Sequence, residues 1–305
     1  MRIDDNGIQY LKKYGVVRQN DPLSGYTTFH TGGPADILIY PDNTGSLAEI
    51  VAFARNESCP LNVIGGGSNL LVGDRGIRGI VIRMSDDDVK KKNIRREGDT
   101  VYCDATTKKH DFIEFSTDAG LAGFEFMAGI PGCIGGGIMM NAGTDVGSFA
   151  DILDRIVLVC GDGSVREVEF SRSMSSYRKM NIPEGDIVAG AFFRLRRADN
   201  PEEVKSRVES TINERKMKHP LDFPSAGSVF KNPEGYFSWR LINDAGLKGR
   251  RIGGAMVSEK HTNFIINAGG ATSWDIRELI DLIREEVRKK FGIFLEPEVK
   301  MLGEF

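Results

Sequence analysis

Residues Val63–Asp74, VIGGGSNLLVGD, carry the strongest structural signal in the chain. An apolar run ends there in three consecutive glycines, followed by Ser68, Asn69 and a second apolar run. Glycines let the backbone adopt positive φ angles and approach a bound group closely, and successive N–H groups in such a loop can bind a pyrophosphate. A second loop of the same character follows at Ala128–Gly143, AGIPGCIGGGIMMNAG. We interpret the two glycine-rich loops as two walls of one dinucleotide site.

The first loop matches neither of two common nucleotide-binding motifs. A G-x-G-x-x-G motif starting at Gly65 requires glycine at position 70, where the chain has Leu70. A Walker A loop requires a Gly-Lys-Ser/Thr sequence, and none follows the glycines. Three glycines alone can also form an ordinary tight turn. The residues by themselves therefore leave a turn and a cofactor loop as alternatives.

The spacing of apolar residues predicts alternating helices and strands around both loops. Up to the first loop we expect a short amphipathic helix in residues 1–19, a strand at Ala35–Tyr40, a helix at Ser46–Asn56 and a strand at Leu61–Ile64. Beyond that loop we expect a strand at Ile77–Ile82, a solvated turn at 86–98, a strand at Thr100–Ala105 and a helix at Lys109–Ala119. A hairpin of Ile152–Cys160 and Val165–Phe170 and a strand at Ile187–Leu195 complete the first two thirds.

The last third of the chain shows a different pattern of predicted helices and strands. Asn200 and Pro201 are typical of a helix start and predict a helix at Asn200–Lys216, where we place a domain boundary. Further helices are expected at Phe237–Ala245 and Thr272–Phe291, and strands at Ala255–Val257, Asn263–Asn267 and within the tail FLEPEVKML.

Composition excludes several classes of function. The chain has 305 residues, 40% of them hydrophobic, and a net charge of -3, so no basic field favours nucleic acid or an acidic membrane. No apolar leader and no membrane-length apolar run is visible. The four cysteines form no CxxC pair and the four histidines show no metal-ligand spacing. We expect a cytoplasmic protein without a bound metal, as a monomer or weak oligomer.

Seven segments occur in one order across residues 26–303: TTFHTGGPAD, VIGGGSNLLVGD, AGIPGCIGGGIMMNAG, SYRKM, PSAGSVFKNP, AGLKGRRIGGAMVSEKHTNFIIN and LEPEVKMLG. Together they resemble the UDP-N-acetylenolpyruvoylglucosamine reductases, flavoenzymes of bacterial cell-wall precursor synthesis. The resemblance implies an α+β protein. Its FAD-binding domain, of the vanillyl-alcohol-oxidase (PCMH) type, has two subdomains and is followed by an α+β substrate-binding domain. We accordingly expect subdomains at 1–85 and 86–199 and a substrate domain at 200–294, with 295–305 returning to the first.

The resemblance also implies the chemistry. FAD would be the cofactor, NADPH the reductant and a UDP-sugar enolpyruvyl ether the substrate. Hydride would pass from flavin N5 to C3 of the enolpyruvyl group, so charge would develop at C2 and in the carboxylate. Such a reaction requires a clamp for that charge and a proton donor aimed at C2.

Three polar residues match the catalytic positions of the family. Ser228 in SAGSVF matches the proton donor, Arg178 in SYRKM matches the arginine that holds the carboxylate, and Glu298 in LEPEV matches the active-site glutamate. A guanidinium can hold a carboxylate through paired donors. A buried carboxyl group with a raised pKa can share a hydrogen bond with the developing charge. Glu296 is two positions away and would face the same side on a strand, so the motif alone selects Glu298.

Binding residues are carried over in the same way. Lys218 and Asn232 match positions that hold the diphosphate and the substrate, and His261 matches a polar substrate contact in some relatives. The positions expected to bind FAD lie in both glycine loops and one strand: Ile64, Gly65, Gly66, Gly67, Ser68, Asn69, Leu70, Gly129, Ile130, Pro131, Gly132, Gly135, Gly136, Asn141, Ala142, Gly143, Ile187 and Val188.

The sequence departs from the family at two places. Thr144, Asp145 and Val146 stand where relatives often have a tyrosine and an acidic residue. Between Arg178 and Ile187 the chain lacks the insertion whose tyrosine closes over substrate in one branch. Phe124, Phe126 and Met127 are expected in the core rather than on the flavin, while Cys133 could touch it.

Two other functions remain as alternatives. One is an oxidase of hydroxy acids or sugars with the same fold, which would have an oxygen-reactive and often covalently joined flavin. The other is a non-catalytic nucleotide-binding regulator, which would not need Ser228, Arg178 and Glu298 together.

Overall fold

A computed structural model describes residues 3–85 and 93–305 of the chain. Its α-helices, in chain order, are α1 Asp5–Leu11, α2 Thr44–Asn56, α3 Lys109–Asp118, α4 Ile134–Met139, α5 Pro201–Lys218, α6 Ser238–Asp244 and α7 Ser273–Phe291. Its strands are β1 Gly15–Pro22, β2 Pro34–Pro41, β3 Leu61–Ile64, β4 Leu70–Val72, β5 Ile77–Arg83, β6 Ile94–Glu97, β7 Thr100–Asp104, β8 Leu121–Ala122, β9 Gly143–Thr144, β10 Gly147–Ser148, β11 Leu153–Val159, β12 Val165–Glu169, β13 Ser175–Ser176, β14 Lys179–Met180, β15 Ile187–Arg194, β16 Arg196–Arg197, β17 Arg251–Ile252, β18 Ala255–Val257, β19 Ile265–Asn267 and β20 Lys300–Leu302.

The described residues form two compact units built from interleaved segments. Unit 1 contains the chain up to Gln19, Ile37–Gly66 and Gly79–Glu214. Unit 2 contains Asn20–Asp36, Gly67–Arg78 and Arg215–Phe305. The domain bounds 1–85, 86–199 and 200–294 remain a prediction. None of the helices in the described ranges is long and apolar enough to cross a membrane.

Two sheets and their helices dominate the first two thirds of the chain. A four-stranded sheet has the order β1-β2-β5-β3, with β3 and β5 parallel. A five-stranded antiparallel sheet has the order β12-β11-β15-β7-β6. The side chain of Asn43 accepts a hydrogen bond from Ser46 N at 3.0 Å and so starts α2. The predicted stripe of α2 is buried in the core of unit 1, as are Phe124, Phe126 and Met127.

Unit 2 has a separate core on which α7 packs its apolar face. A capping box of Thr272 and Asp275 starts α7, and Gly292 ends it with a φ of 72°. The inward residues are those that the 3.6-residue spacing predicts: Ile276, Leu279, Ile280, Ile283 and Val287. The three-stranded sheet β17-β18-β19 and the parallel pair β4-β20 complete this unit.

The prediction of a helix through residue 19 is wrong beyond Leu11. The chain turns there and enters β1 at Gly15. A Cβ at Gly15 would lie 1.9 Å from the carbonyl oxygen of Tyr40, so only glycine permits this approach to β2. The β-branched Val16 and Val17 then continue as strand, because tertiary pairing outweighs the weak helical pattern.

Three further elements differ from prediction. Part of the predicted turn at 86–98 is strand β6, which pairs with β7, while 86–92 lie outside the described residues. The second glycine loop contains helix α4, which was not expected from three glycines. The tail FLEPEVKML is strand only at Lys300–Leu302, where the chain runs beside β4.

Candidate active site

The backbones of the two glycine-rich loops come into direct proximity within unit 1. A Cβ on Gly66 would lie 2.6 Å from the Cα of Gly132, and one on Gly65 would lie 4.0 Å from the nitrogen of Gly136. Any side chain at Gly66 would therefore separate the two loops. Arg83 donates from Nη1 to the carbonyl oxygen of Gly65 and fixes the first loop. The two loops are thus neighbours in the structure at Gly65, Gly66, Gly132 and Gly136, while their role in binding a dinucleotide remains a prediction.

A cavity of about 280 Å³ opens where these loops meet. Four of its lining residues were predicted to bind cofactor: Gly66, Ile130, Pro131 and Gly132. Four others were not: Ser85, Lys108, His110 and Cys133. Ser85 lies just after β5, Lys108 just before α3 and His110 at the start of α3, and no sequence motif pointed to them. Cys133 lies inside the second loop and was named as a residue that could touch the flavin. Glycine backbone beside a lysine is a donor set that fits the pyrophosphate of a dinucleotide.

A second cavity, of about 470 Å³, shares His110, Ile130 and Pro131 with the first. Its wall also includes Gly129 of the predicted set, and its apolar lining comes largely from α3 and α5: Ile113, Met127, Val208 and Ile212. Apolar walls with a few polar groups are typical of pockets that accept flat organic rings. The second cavity is also lined by the charged residues Glu114, Asp118, Lys205 and Glu209, so only its apolar part suits such a ring.

The second loop is held in place from its N-terminal side. Lys109 donates from Nζ to the carbonyl oxygen of Pro131 at 2.7 Å and from its backbone nitrogen to Gly132 at 3.1 Å. In α4, Gly135 packs against Ala105 and Gly137 packs against the ring of Phe149. A Cβ on Gly136 would meet no heavy atom within 4 Å. Gly136 therefore has open space at its Cβ position, whereas Gly135 has a packing role.

The end of the second loop is joined to the hairpin that carries Arg178. Arg178 lies between β13 and β14 with a φ of 57°, a conformation that is uncommon for residues other than glycine. Its Nη1 donates to the carbonyl oxygen of Gly143 at 2.8 Å, and Asn141 donates from Nδ2 to the carbonyl oxygen of Ser176 at 3.1 Å. Ala142, between these two anchors, is half-buried. Arg178 is thus positioned directly beside predicted cofactor residues.

Other predicted residues of unit 1 have more ordinary surroundings. Ile64, at the end of β3, and Ile187 and Val188, at the start of β15, are buried. The departure at Thr144–Val146 comprises the last residue of β9 and the turn to β10, where Val146 is exposed. On α3, donor atoms of His110, Asp111 and Glu114 lie within 4.8 Å of one another. The absence of a metal remains a prediction.

In unit 2, the rest of the first loop is tied to the segment that carries Glu298. Gly67 has a φ of 68°, and its carbonyl oxygen accepts a hydrogen bond from Thr28 N at 3.1 Å. Next to Ser68, Asn69 donates from Nδ2 to the carbonyl oxygen of Glu298 at 3.2 Å, and Lys300 N donates to the carbonyl oxygen of Asn69 at 3.0 Å. Leu70 then begins β4, so the first loop and residues 298–300 are hydrogen-bonded neighbours.

Ser228 and Glu298 lie on two paired backbone segments. The nitrogen of Glu298 donates to the carbonyl oxygen of Val229, the residue after Ser228, at 2.7 Å. Both Ser228 and Glu298 are half-buried. Glu296 is instead exposed and forms an ion pair with Lys231 at 2.6 Å. The structure thus distinguishes the two glutamates, which the sequence spacing could not.

The turn Ser258–Phe264 holds the segment after Ser228. Val229 N donates to the carbonyl oxygen of Asn263 at 2.8 Å. The side chain of Asn263 accepts from Phe230 N at 3.0 Å and donates to the carbonyl oxygen of Phe230 at 2.8 Å. Asn263 is buried, so both bonds form away from water.

The same turn also meets the end of α5. The ring of His261 lies 5.5 Å from that of His219, which stacks on Phe264 at 4.9 Å. Burial lowers the pKa of His219 to about 4, assisted by the neighbouring cations Arg215, Lys218 and Lys260, and burial also lowers the pKa of His261. Both rings are therefore neutral at pH 7. Lys218, which was predicted, lies at the exposed end of α5 directly before His219. His219 was not predicted, because no motif marks it.

Asn232, the last of the predicted substrate residues, is exposed and lies in the segment before α6. Its Oδ1 accepts a hydrogen bond from Ser238 N at 3.0 Å, and Ser238 donates from Oγ to the carbonyl oxygen of Lys231 at 2.5 Å. Unit 2 therefore gathers Ser228, Glu298, Asn232 and His261 on a connected set of backbone segments, while Arg178 belongs to unit 1.

Comparisons with known proteins define the class first. A model described as "FAD binding domain" matches residues 35–169, which include both glycine loops. Together with the full-length relatives below, this match shows that the chain is an FAD-dependent oxidoreductase, and the predicted α+β fold with an FAD-binding domain is confirmed. The C-terminal domain model of "UDP-N-acetylenolpyruvoylglucosamine reductase" matches residues 219–302.

Full-length relatives identify the family. The chain is 40% identical over 298 residues to the UDP-N-acetylenolpyruvoylglucosamine reductase of Caldanaerobacter subterraneus subsp. tengcongensis, with 97% of each chain covered. It is 42% identical to the same enzyme of Lachnoclostridium phytofermentans, over 93% of this chain and 92% of the relative. The crystal structure of UDP-N-acetylenolpyruvylglucosamine reductase from Thermus caldophilus superposes with a TM-score of 0.78 at 33% identity, covering 95% of this chain and 100% of that one. The chain belongs to the UDP-N-acetylenolpyruvoylglucosamine reductase family.

Proposed function

We propose that the protein catalyses NADPH-dependent reduction of UDP-N-acetylglucosamine enolpyruvate to UDP-N-acetylmuramate, in the cytoplasmic synthesis of peptidoglycan precursors. The observation that carries the proposal is the pairing of the Ser228 and Glu298 segments through the 2.7 Å hydrogen bond between Glu298 N and Val229 O. A proton donor and an acidic partner on adjacent backbone suit a reaction in which charge develops on one carbon atom and is then neutralised.

FAD, when bound, would supply the hydride that reduces the enolpyruvyl ether, with NADPH as the source of electrons. The protein's own residues manage the charge that results. Arg178 binds the substrate carboxylate through paired donors. Ser228 gives the proton of its hydroxyl to C2, and Glu298 donates or shares a hydrogen bond with the charge that develops there.

A serine hydroxyl is a weak acid, so its role as a proton donor depends on alignment. The carbanion is a strong base, and transfer to it becomes efficient when the donor is held in one geometry. Two buried hydrogen bonds from the side chain of Asn263 fix Phe230, two residues after Ser228. This clamp supports the proposed role, because it removes freedom from the segment that carries the hydroxyl.

Substrate binding is assigned to three other residues of unit 2. Lys218 would bind the diphosphate, Asn232 would donate to the substrate through its amide nitrogen, and His261 would contact its polar groups. The low pKa of His219 keeps that ring neutral at pH 7, so the charge at this end of α5 comes from Arg215, Lys216 and Lys218.

The two half-reactions of Ser228→Ala test the proposal. Under anaerobic conditions, NADPH should bleach the flavin absorbance near 450 nm at the parental rate, because Ser228 has no role in that step. Reoxidation by the enolpyruvyl sugar nucleotide should slow by about 10²–10⁴-fold, the usual contribution of a positioned general acid. Ser228→Cys, which retains a proton donor, should recover part of that rate.

Two outcomes would contradict the proposal. An equal loss in both half-reactions would remove the proton-donor role from Ser228. Rapid reoxidation of the parental flavin by oxygen, with no response to the enolpyruvyl sugar nucleotide, would instead indicate an oxidase of the same fold.

A further inference from the structure

The start of α6 exposes three large aromatic side chains that the proposed reaction does not use. Tyr236, Phe237 and Trp239 are 53%, 57% and 40% exposed, and the rings of Phe237 and Trp239 lie 6.5 Å apart. Adjacent exposed aromatic rings are uncommon on a protein surface without a binding role.

Hydrogen bonds hold this segment in place. The carbonyl oxygen of Trp239 accepts from Thr262 Oγ1 at 2.5 Å. Asn232 and Lys231 fix the neighbouring Ser238 through its nitrogen and its hydroxyl. The rings are therefore presented by an anchored backbone, and binding would not require the segment to become ordered.

The residues around this segment suggest what it binds. Thr262 follows His261, whose ring packs against His219 at the end of α5. Lys260 of the same turn donates from Nζ to the carbonyl oxygen of Lys216 at 2.7 Å, close to Lys218. One turn thus contacts the start of α6 through Thr262 and the end of α5 through Lys260 and His261, and the last turn of α5 carries the basic residues Arg215, Lys216 and Lys218.

The geometry points to a nucleobase platform: Phe237 and Trp239 stack on the uracil ring of the UDP-sugar while the cations at the end of α5 bind its diphosphate. This inference rests on the proposed function, since it names residues that select the nucleotide part of that substrate. Aromatic stacking suits a nucleobase because the base has a π face, and neighbouring cations favour a nucleoside diphosphate over an uncharged ring.

The two tryptophans of the chain, Trp239 and Trp274, make the test direct. UDP is the probe, added to the holoenzyme, and two single-tryptophan variants report on each position separately. In Trp274→Phe, saturating UDP should change the emission of Trp239. In Trp239→Phe, the emission of Trp274, which lies on α7 and is 49% exposed, should stay constant.

Calorimetry then measures the contribution to affinity. Trp239→Ala should weaken UDP binding by about 5- to 100-fold, in line with the loss of base stacking, and should leave the weak binding of inorganic pyrophosphate unchanged. Trp274→Ala is the matched control and should bind UDP like the parent.

Parental UDP affinity in the double variant Phe237→Ala/Trp239→Ala would overturn the platform. If that variant also reduces the enolpyruvyl sugar nucleotide at the parental rate, the proposed function stands without the nucleobase platform. Concentration-dependent self-association of the parent that Trp239→Ala abolishes, with unchanged UDP affinity, would assign the rings to a contact between copies of the chain. A parent that neither binds UDP nor turns over substrate would refute both proposals.

Discussion

The glycine loops of unit 1 and the turn Ser258–Phe264 of unit 2 build binding sites in opposite ways. In unit 1 the site depends on missing side chains: the backbones at Gly66 and Gly132 approach until no Cβ would fit between them. In unit 2 the site depends on side chains that replace backbone pairing, such as Asn263, which serves both the nitrogen and the oxygen of Phe230. The first kind of site should therefore fail when atoms are added, and the second when atoms are removed.

The largest effect on stability is expected from Asn263→Ala. It removes one acceptor and one donor from the buried backbone of Phe230 and should lower the free energy of unfolding by about 2–4 kcal/mol. Urea denaturation of the holoenzyme measures this loss. Asn243→Ala, at an exposed position of α6, is the control and should change stability little. An Asn263→Ala variant as stable as the parent would show that the clamp contributes nothing.

Gly66→Ala is the corresponding addition in unit 1. The new methyl group must push the two loops apart, which should cost about 1–3 kcal/mol, and the loss should appear as weaker FAD binding. Titration of the apoprotein with FAD, followed by flavin fluorescence, gives the affinity. Gly161→Ala is the control, because its Cβ would meet only ordinary contacts at 3.7 Å. If Gly66→Ala bound FAD as tightly as the parent, the close approach of the two loops would not be required for cofactor binding.

Asp74→Ala tests whether removal of atoms also matters where the first loop ends. The carboxylate of Asp74 accepts hydrogen bonds from Ser273 N and Trp274 N, both at 2.9 Å, in the first turn of α7. Loss of this cap should reduce the free energy of unfolding by about 1 kcal/mol, measured by thermal or urea denaturation. Asp74→Asn should lose less than Asp74→Ala, because its single amide oxygen can accept one of the two hydrogen bonds. Equal losses in both variants would indicate a role for charge rather than capping.

The smallest effect concerns acid stability. His219 has a pKa of about 4 in the folded protein and an ordinary value near 6.5 when unfolded, because burial disfavours its charged form. Between these values the unfolded chain binds a proton that the folded chain does not, so stability present above pH 6.5 is lost as the pH falls towards 4. The ring is only half-buried, and screening reduces the expected loss to about 1 kcal/mol.

His219→Phe keeps a ring to stack on Phe264 and removes the titration. Its stability should fall less steeply between pH 6.5 and 4 than that of the parent, as measured by urea denaturation at each pH. The control His30→Asn changes an exposed histidine to a residue that tolerates its φ of 56°. Identical pH profiles of stability for His219→Phe and the parent would show that the His219 ring does not cause the loss of stability at low pH.

Helices and strands were predicted well where their buried residues recur at a single regular spacing. The stripes of α2 and α7 and the hairpin β11-β12 follow from apolar spacing and from the turn at Gly161–Gly163. By contrast, α4 has three consecutive glycines, each costing a helix about 1 kcal/mol relative to alanine. It forms because close packing on Ala105 and Phe149 requires residues without side chains, and that requirement is not visible from spacing.

The candidate site was only partly predictable for the same reason. Motifs identified Gly66, Ile130, Pro131 and Gly132, which line the smaller cavity. Lys108 and His110 reach that cavity through the bridge between Lys108 and Cys133, a pairing between distant segments that no local pattern reports. Likewise, the choice between Glu296 and Glu298 depends on the ion pair of Glu296 with Lys231. Both are tertiary contacts, so the structure was needed to find them.

The hydrogen bond from Asn69 to Glu298 spans 229 positions of sequence. During synthesis on the ribosome, the strand β4 has no partner until β20 has left the exit tunnel. The second half of the first glycine loop can therefore be fixed only late in translation. Contacts of a flavin nucleotide with Ser68 and Asn69 should accordingly form only after residues 298–302 have been synthesised.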